Sequence, residues 1–415
     1  MKKIEVWADW HFLDGVRRVG TLSVSDGRGK EVFFFEYDKD WIQSDNSYQV
    51  DPQLSLYPGR FSPTMSSPNF GIFLDSSPDR WGRTLMVRRE AIRASDEGRE
   101  ARKLFESDYL LAVADKTRMG GLRFKVDGTF LDDDVCNPTP PWTSIRELEH
   151  AAKTIEEDQD DEAVKKELRQ LFAPGSSLGG ARPKANILDQ EGGLWIAKFP
   201  SQKDERNVGA WEMVAHTLAR KCGIQVPEAK AKKFASDHDT FLVKRFDRVG
   251  ESRIHFASVM TLLEHKDGAG SDSGVSYLEI VDLIIRSGQP STVDEDLKGL
   301  WTRIVFSIAV SNTDDHLRNH GFLLTSNEGL RLSPAYDINP NVSGMGLSLN
   351  ISQDSNALDF ELAKSVAHYF RISAKDADQI IDQVRTEVSR WNEVAESLGI
   401  STQERRRMAR AFRVK

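Results

Sequence analysis

The sequence predicts an α+β protein in which a small, mainly β amino-terminal domain precedes a β-containing lobe and a mainly helical lobe. Three observations carry this expectation. The first hundred or so residues alternate β-rich runs (IEVWADW, VGTLSVS, EVFFFEY) with Gly/Asp turns such as DGRGK, a hairpin-and-meander pattern. The stretch DDDVCNPTPPW, residues 132–142, is acidic and proline-rich, so it neither propagates a helix nor pairs as a central strand, and it marks a domain boundary. Beyond residue 255, helical patterns dominate. The expected divisions are 1–135, 140–247 and 248–415.

The elements follow in order. PDRWGRTLMVRREAIRAS reads as a helix with Pro78 in its first turn, and YLLAVADKTRMGGLRF as a run broken at Gly120-Gly121. Ser144-Ile145-Arg146-Glu147 has capping-box form and opens a helix running into the acidic, solvated stretch Glu156 to Glu162. KANILDQ and GLWIAKFP, separated by Gly192-Gly193, form a hairpin under a glycine-rich loop. Val208, Trp211, Ala215, Leu218 and Cys222 lay one apolar stripe along a helix ending near Gly223. FLVKRFDR is a further strand. VSYLEIVDLIIRSG, LKGLWTRIVFSIAVSN and ADQIIDQVRTEVSRWNEVAESL are helical, interrupted by a loop-rich segment from Asn312 to Asp359.

A formal net charge of -8 gives no global attraction to nucleic acid or anionic membrane, so any DNA contact must be local. The two cysteines, Cys136 and Cys222, lack metal-ligand spacing and indicate neither a disulfide framework nor a structural zinc site. MKKIEVWADWHF has no apolar stretch behind its basic pair, and no later segment has the apolar length of a membrane span, so a cytosolic protein without membrane contact is expected.

Phosphoryl transfer asks a protein for a cation on the phosphates, oxygen ligands for Mg²⁺ and a carboxylate beside the incoming hydroxyl. In NTDDHLRNHGFLL, Asp314 and Asn319 lie five apart, the spacing of the base and the metal-binding amide in a kinase catalytic loop. Asp314 is the candidate catalytic carboxylate and the Asn319 oxygen suits Mg²⁺. His316 would bridge to the transferring phosphate or brace the loop. Asp337 in LSPAYDINPN occupies the place of a second metal-binding aspartate, with Ile-Asn where Phe-Gly is usual. Lys198 in the strand LWIAKF precedes Glu212 on the next helix, the order of the ion pair that orients nucleotide phosphates. GSSLGGARPK supplies Gly179 and Gly180 for close backbone approach to phosphates and Lys184 as a cation. It is no Walker A loop, since Ala181-Arg182 stands where Lys-Ser/Thr is required.

On these residues the chain resembles the HipA family of serine/threonine kinases over nearly its whole length. SSLGGARPKANI is similar to the family's phosphate loop, KRFDR to its hinge, NTDDHLRNHGF to its catalytic loop and LSPAYDI to its metal-aspartate segment, while SSPDRWGR and TRMGGLRF resemble its extra first domain. The form D-x-H-x-x-N is also similar to phosphoinositide-kinase-like proteins. The resemblance implies an atypical, bilobal protein-kinase-like fold. It further implies ATP phosphates at Gly179, Gly180, Ala181, Arg182, Lys184 and Lys198, and adenine against the backbone of Lys244, Arg245 and Phe246, where relatives often begin with an acidic residue. Ser177 matches a serine that relatives autophosphorylate, with Ser176 as its neighbour and rival. ATP and Mg²⁺ are the implied cofactors. The implied partners are a protein substrate such as an aminoacyl-tRNA synthetase and a helix-turn-helix antitoxin, with DNA reached only through the antitoxin complex. On the same fold, an AMP-transferring enzyme and a catalytically weak antitoxin-bound corepressor are the alternatives. The basic segment ERRRMARAFRVK is either a solvated helical end or a phosphate contact in such a complex.

Overall fold

The computed structural model describes residues 1–27, 29–131, 139–157, 171 and 180–414. The candidate residues Gly179, Ser176 and Ser177, most of the 132–142 boundary stretch and most of the acidic run after Glu156 lie outside these described residues. The chain divides into two compact units, one of Met1–Gln202 with Asp247–Ala257 and one of Lys203–Phe246 with Ser258–Lys415.

In the first unit, strands β1 (Lys2–Ala8), β2 (Arg17–Gly27), β3 (Lys30–Tyr37), β4 (Arg60–Phe61), β5 (Leu122–Val126) and β6 (Thr129–Phe130) form one antiparallel sheet in the order β4-β3-β2-β1-β5-β6. Its register sets Ile4 opposite Leu22, Leu22 opposite Phe35 and Val6 opposite Phe124. All of these are buried, so the period-2 alternation of the sequence becomes one apolar face. Helix α1 (Arg80–Asp96) begins two residues past Pro78, which was expected in its first turn: Asp79 is its N-cap, accepting from Gly82 N at 2.8 Å, and Pro78 lies outside the helix. The TRMGG turn is built around Arg118. Its buried guanidinium donates to the carbonyls of Ser76 (2.7 Å), Leu110 (3.0 Å) and Val113 (2.7 Å) and lies over the Phe124 ring. The short hairpin of Arg248–Val249 and Ser252–Arg253 belongs to this unit, through Arg253 to Asp115 (2.9 Å) and Gly120 N to Asp247 (2.8 Å).

Helix α2 (Ile145–Glu156) forms without the expected capping box. Trp142–Ser144 is a 3-10 turn, and Ser144 N already donates to Pro141 O, so the amide that Glu147 would have accepted from is taken. Strands β7 (Lys184–Leu188) and β8 (Leu194–Lys198) make the expected hairpin.

In the second unit, helix α3 (Val208–Lys221) follows the apolar stripe and ends before Gly223, whose φ of +79° closes it. Strands β9 (Ala229–Lys232) and β10 (Thr240–Lys244) pair antiparallel. Helices α4 (Tyr277–Ser287) and α5 (Val293–Val310) follow; α5 is buried on nearly every side from Leu300 onward, so truncating Leu300 or Ile304 to alanine costs about 2–5 kcal/mol. Within the expected loop region, β11 (Gly321–Ser326) and β12 (Gly329–Leu332) form a hairpin. The last long helical pattern splits into α6 (Ala374–Val388) and α7 (Trp391–Ser397), because Trp391 is turned inward to stack on Phe412 at 4.5 Å. Helix α8 (Thr402–Met408) follows. Among the described residues no helix is long and apolar enough to cross a membrane.

Candidate active site

The second unit presents Asp314, His316, Asn319 and Asp337 on two hydrogen-bonded loops. Helix α5 ends in a left-handed turn at Ser311 (φ +50°), which releases the chain into residues 312–319. Asp314 is exposed, as a carboxylate that meets an incoming hydroxyl must be. Asn319 is buried and its Nδ2 donates to Asp314 O at 2.8 Å, which gives its Oδ1 the acceptor role on the opposite side. The adjacent Asp315 points into the protein instead. It accepts from Tyr277 Oη at 2.6 Å and lies 3.0 Å from His320 Nε2. Burial opposes its ionisation, but His320, Tyr277 and His316 outweigh that and hold its carboxyl below the usual carboxylate value. Of the paired aspartates, one faces solvent while the other braces the loop.

Asn312 Oδ1 accepts from Asn339 N at 3.1 Å and joins this loop to the one that carries Asp337. Asp337 has φ +58°, a left-handed conformation that costs energy outside glycine, and Asn339 Nδ2 lies 3.4 Å from its Oδ1. The buried Asn339 Oδ1 and His316 Nδ1 have no hydrogen-bond partner. An unpartnered amide oxygen on the loop that carries Asp337 is the kind of ligand a hard, oxygen-seeking cation takes, whereas the His316 nitrogen is not. Among the described residues no three His, Cys, Asp or Glu side chains cluster as a ready-made metal cage, so Mg²⁺ here would draw the rest of its shell from phosphate and water. Tyr336, which the sequence reading passed over, donates to Arg318 O at 2.8 Å and stacks on Phe246 at 5.4 Å, tying the Lys244–Arg245–Phe246 segment to both loops. Arg245 is buried, while Lys244 and Phe246 are half-buried, and Lys244 N donates to Glu228 O. Glu212 is buried on α3, whose N-cap Asn207 is fixed by Asp239 through hydrogen bonds of 2.6 and 2.8 Å.

In the first unit, Gly180 has φ +111°, which only glycine adopts without strain, and a Cβ there would stand 3.2 Å from Lys184 Nζ. Ala181 and Arg182 continue the turn into β7. Lys184 and Lys198 are directly opposite in the hairpin register. Two cations on one face of a strand pair repel, and the structure answers this with Asp79: its Oδ2 lies 2.7 Å from Lys184 Nζ, both groups being almost fully buried. Trp81 Nε1 donates to Lys184 O (3.1 Å) and Trp81 N to Gly180 O (3.4 Å). The start of α1 thus grips both ends of the 180–184 segment, and a phosphate would have to share Lys184 with Asp79.

Together these elements define an α+β protein of the protein-kinase-like class with an additional amino-terminal domain. Residues 176–391 match the family model of the HipA-like C-terminal domain and residues 12–100 that of the HipA N-terminal domain. The chain belongs to the HipA family. It is 27% identical over 232 residues to "Putative kinase Y4dM" of Sinorhizobium fredii, covering 50% of this chain and 52% of that protein. It is 25% identical over 181 residues to a "Putative kinase" of Haemophilus influenzae, covering 39% and 52%. The chain thus spans about half the length of the curated relatives it matches. Among solved structures, HipA of Shewanella oneidensis MR-1, in its complex with HipB and operator DNA, has the same fold: the TM-score is 0.67 at 18% identity, covering 98% of this chain and 94% of that one.

Proposed function

We propose that this chain is an ATP- and Mg²⁺-dependent serine/threonine-protein kinase, the toxin of a type II toxin–antitoxin pair. The observation that carries the reading is the Asp314–Asn319 loop, with an exposed carboxylate, an amide tied back to its carbonyl, and the Asn312–Asn339 bond to the Asp337 loop. Asp314 accepts a hydrogen bond from the substrate hydroxyl and orients it for attack on the γ-phosphorus; as the new O–P bond forms, the bond to the leaving ADP oxygen breaks and the hydroxyl proton passes to the carboxylate or to solvent. Asn319 and Asp337 hold Mg²⁺, which supplies neutralisation of the phosphate charge. His316 serves the transferring phosphate or the loop. In the first unit we assign the 179–184 segment with Lys184, and Lys198, to the nucleotide phosphates; in the second unit we assign Glu212 as the acidic partner of the nucleotide site and the backbone of Lys244 to Phe246 to adenine. We assign residues 1–135 to an amino-terminal domain, 140–247 to the nucleotide lobe and 248–415 to the catalytic lobe.

Ser177, or Ser176 beside it, is the autophosphorylation site. A phosphate there adds about two negative charges next to the ATP phosphates and so switches the enzyme off. The family and the HipB-bound relative favour a helix-turn-helix antitoxin as partner, with DNA reached through it. The substrate we propose is a translation component such as an aminoacyl-tRNA synthetase, in the cytoplasm. The test is incubation with γ-labelled ATP and Mg²⁺. Wild type should acquire label on Ser177 or Ser176, and Asp314→Asn should acquire none. Label from α-labelled ATP would instead mean AMP transfer. Unchanged growth inhibition by Asp314→Asn would mean that toxicity comes from binding.

A further inference from the structure

The basic segment ERRRMARAFRVK was legible in the sequence only as a solvated end or a DNA contact, yet its described residues, 404–414, are anchored in the second unit. Met408, Ala411 and Phe412 are buried. The Phe412 ring lies parallel to Trp391 at 4.5 Å and packs on Trp211 at 5.9 Å, and Glu404 accepts from Trp211 Nε1 at 2.8 Å and from Asn207 N at 2.9 Å. On the other side, Val414 O receives Arg385 at 3.4 Å. Arg413 sits between these anchors. Its backbone N donates to Ala309 O at 2.7 Å, and its Nε donates to Ser311 Oγ at 3.1 Å.

Ser311 is where the loop bearing Asp314 and Asn319 begins. It is a buried, non-glycine residue in the left-handed region, at the end of an 18-residue helix. Such a conformation is disfavoured for serine and persists only when surrounding contacts over-determine it. Three contacts do so: Ser311 O accepts from Thr313 N (2.9 Å) and Asn341 N (3.1 Å), and Ser311 Oγ accepts from Arg413. The guanidinium also lies at the negative end of the helix, where a cation is favoured and where Arg413 N satisfies one of the carbonyls left over by the last turn.

We infer that Arg413 is a positioning residue for the catalytic loop: it holds Ser311 in the left-handed turn that aims Asp314 and Asn319. The catalytic importance of that loop rests on the proposed kinase reading, whereas the geometric role of Arg413 does not. Glycine enters the left-handed region without penalty, which gives the inference a specific signature. If the role of Arg413 is to hold that turn, Ser311→Gly should make it dispensable.

The experiment compares Arg413→Ala, Arg413→Lys, the double variant Ser311→Gly/Arg413→Ala and a charge-matched control, Arg410→Ala, which is exposed on the same segment, as Arg413 is, but makes no bond to Ser311. Autophosphorylation kinetics and amide deuterium exchange of residues 311–320 are the readouts. Arg413→Ala should lower kcat about tenfold, the worth of one charge-assisted hydrogen bond felt in the active geometry, with KM for ATP within about twofold. Exchange across 311–320 should quicken in the same variant. Arg413→Lys should recover part of both effects, the double variant most of both, and Arg410→Ala should match wild type. The inference is overturned if Arg413→Ala behaves like Arg410→Ala in exchange and kinetics, or if Ser311→Gly restores neither. A wild type with no kinase activity would refute the kinase reading alone, since the exchange arm still decides the role of Arg413.

Discussion

The buried pair of Asp79 and Lys184 makes the sharpest energetic prediction. Asp79 does two things at once: Oδ1 caps α1 through Gly82 N, and Oδ2 neutralises Lys184 at 2.7 Å, with side-chain exposures of 1% and 3%. Asp79→Asn separates them, because asparagine caps as well as aspartate but carries no charge. What is lost is the negative charge 2.7 Å from a buried ammonium whose residue stands opposite Lys198 in the strand pair. Removing one partner of a buried ion pair costs about 3–5 kcal/mol. At the low end, about 3 kcal/mol in a unit of this size corresponds to roughly 6–12 °C in the melting midpoint. Asp79→Ala should lose about 1 kcal/mol more, the value of the cap. Calorimetric unfolding of the full chain measures both, and a double-mutant cycle with Lys184→Met isolates the pair. Asp79→Leu/Lys184→Met, which removes both charges, should regain most of the loss. The reasoning fails if Asp79→Asn unfolds within about 1 kcal/mol of wild type, the range of an exposed pair, or if the coupling energy falls below about 0.5 kcal/mol, the additivity limit for independent sites.

Two further predictions concern pH and the loop. Burial of His255 against Trp10 pushes its pKa down to about 3, so between pH 6.5 and 3 the unfolded chain binds a proton that the folded chain refuses. Stability should therefore fall with pH in that window, by about 2 kcal/mol from pH 7 to 5, and His255→Phe should remove this component of the unfolding profile. Asp315 acts lower down: its depressed carboxyl keeps its contribution until pH reaches the ordinary carboxylate value, and loses it progressively as pH falls from there through its own lower value. Tyr336→Phe keeps the ring on Phe246 but deletes the bond to Arg318 O, and should cost about 1 kcal/mol in denaturant unfolding, whereas Tyr336→Ala, losing the stack too, should cost more.

What could be read in the sequence was local. The β7–β8 hairpin announces itself through alternation around Gly192-Gly193, and α3 through its apolar stripe, because period and turn chemistry act over a few residues. Asp314 and Asn319 were visible for the same reason, lying within one short loop. The rest depends on partners distant in sequence. Nothing local in SSPDRWGR says that Asp79 neutralises a lysine more than a hundred residues away, nor does the arginine after Phe412 announce itself as a strut under Ser311. Tyr336 carries a weak signal, an aromatic immediately before the metal-aspartate candidate. The capping box at Ser144 and the unbroken helix through Trp391 were local readings that tertiary contacts overrode.

Calorimetric titration of Mg²⁺·ATP into wild type, Lys198→Ala, Glu212→Gln and Asn319→Ala/Asp337→Ala tests the central claim most directly. The account predicts one site of unit stoichiometry that each of these variants weakens, with binding that requires Mg²⁺ lost in the Asn319/Asp337 variant. Nucleotide bound with wild-type affinity by these folded variants, or binding indifferent to Mg²⁺, would contradict it.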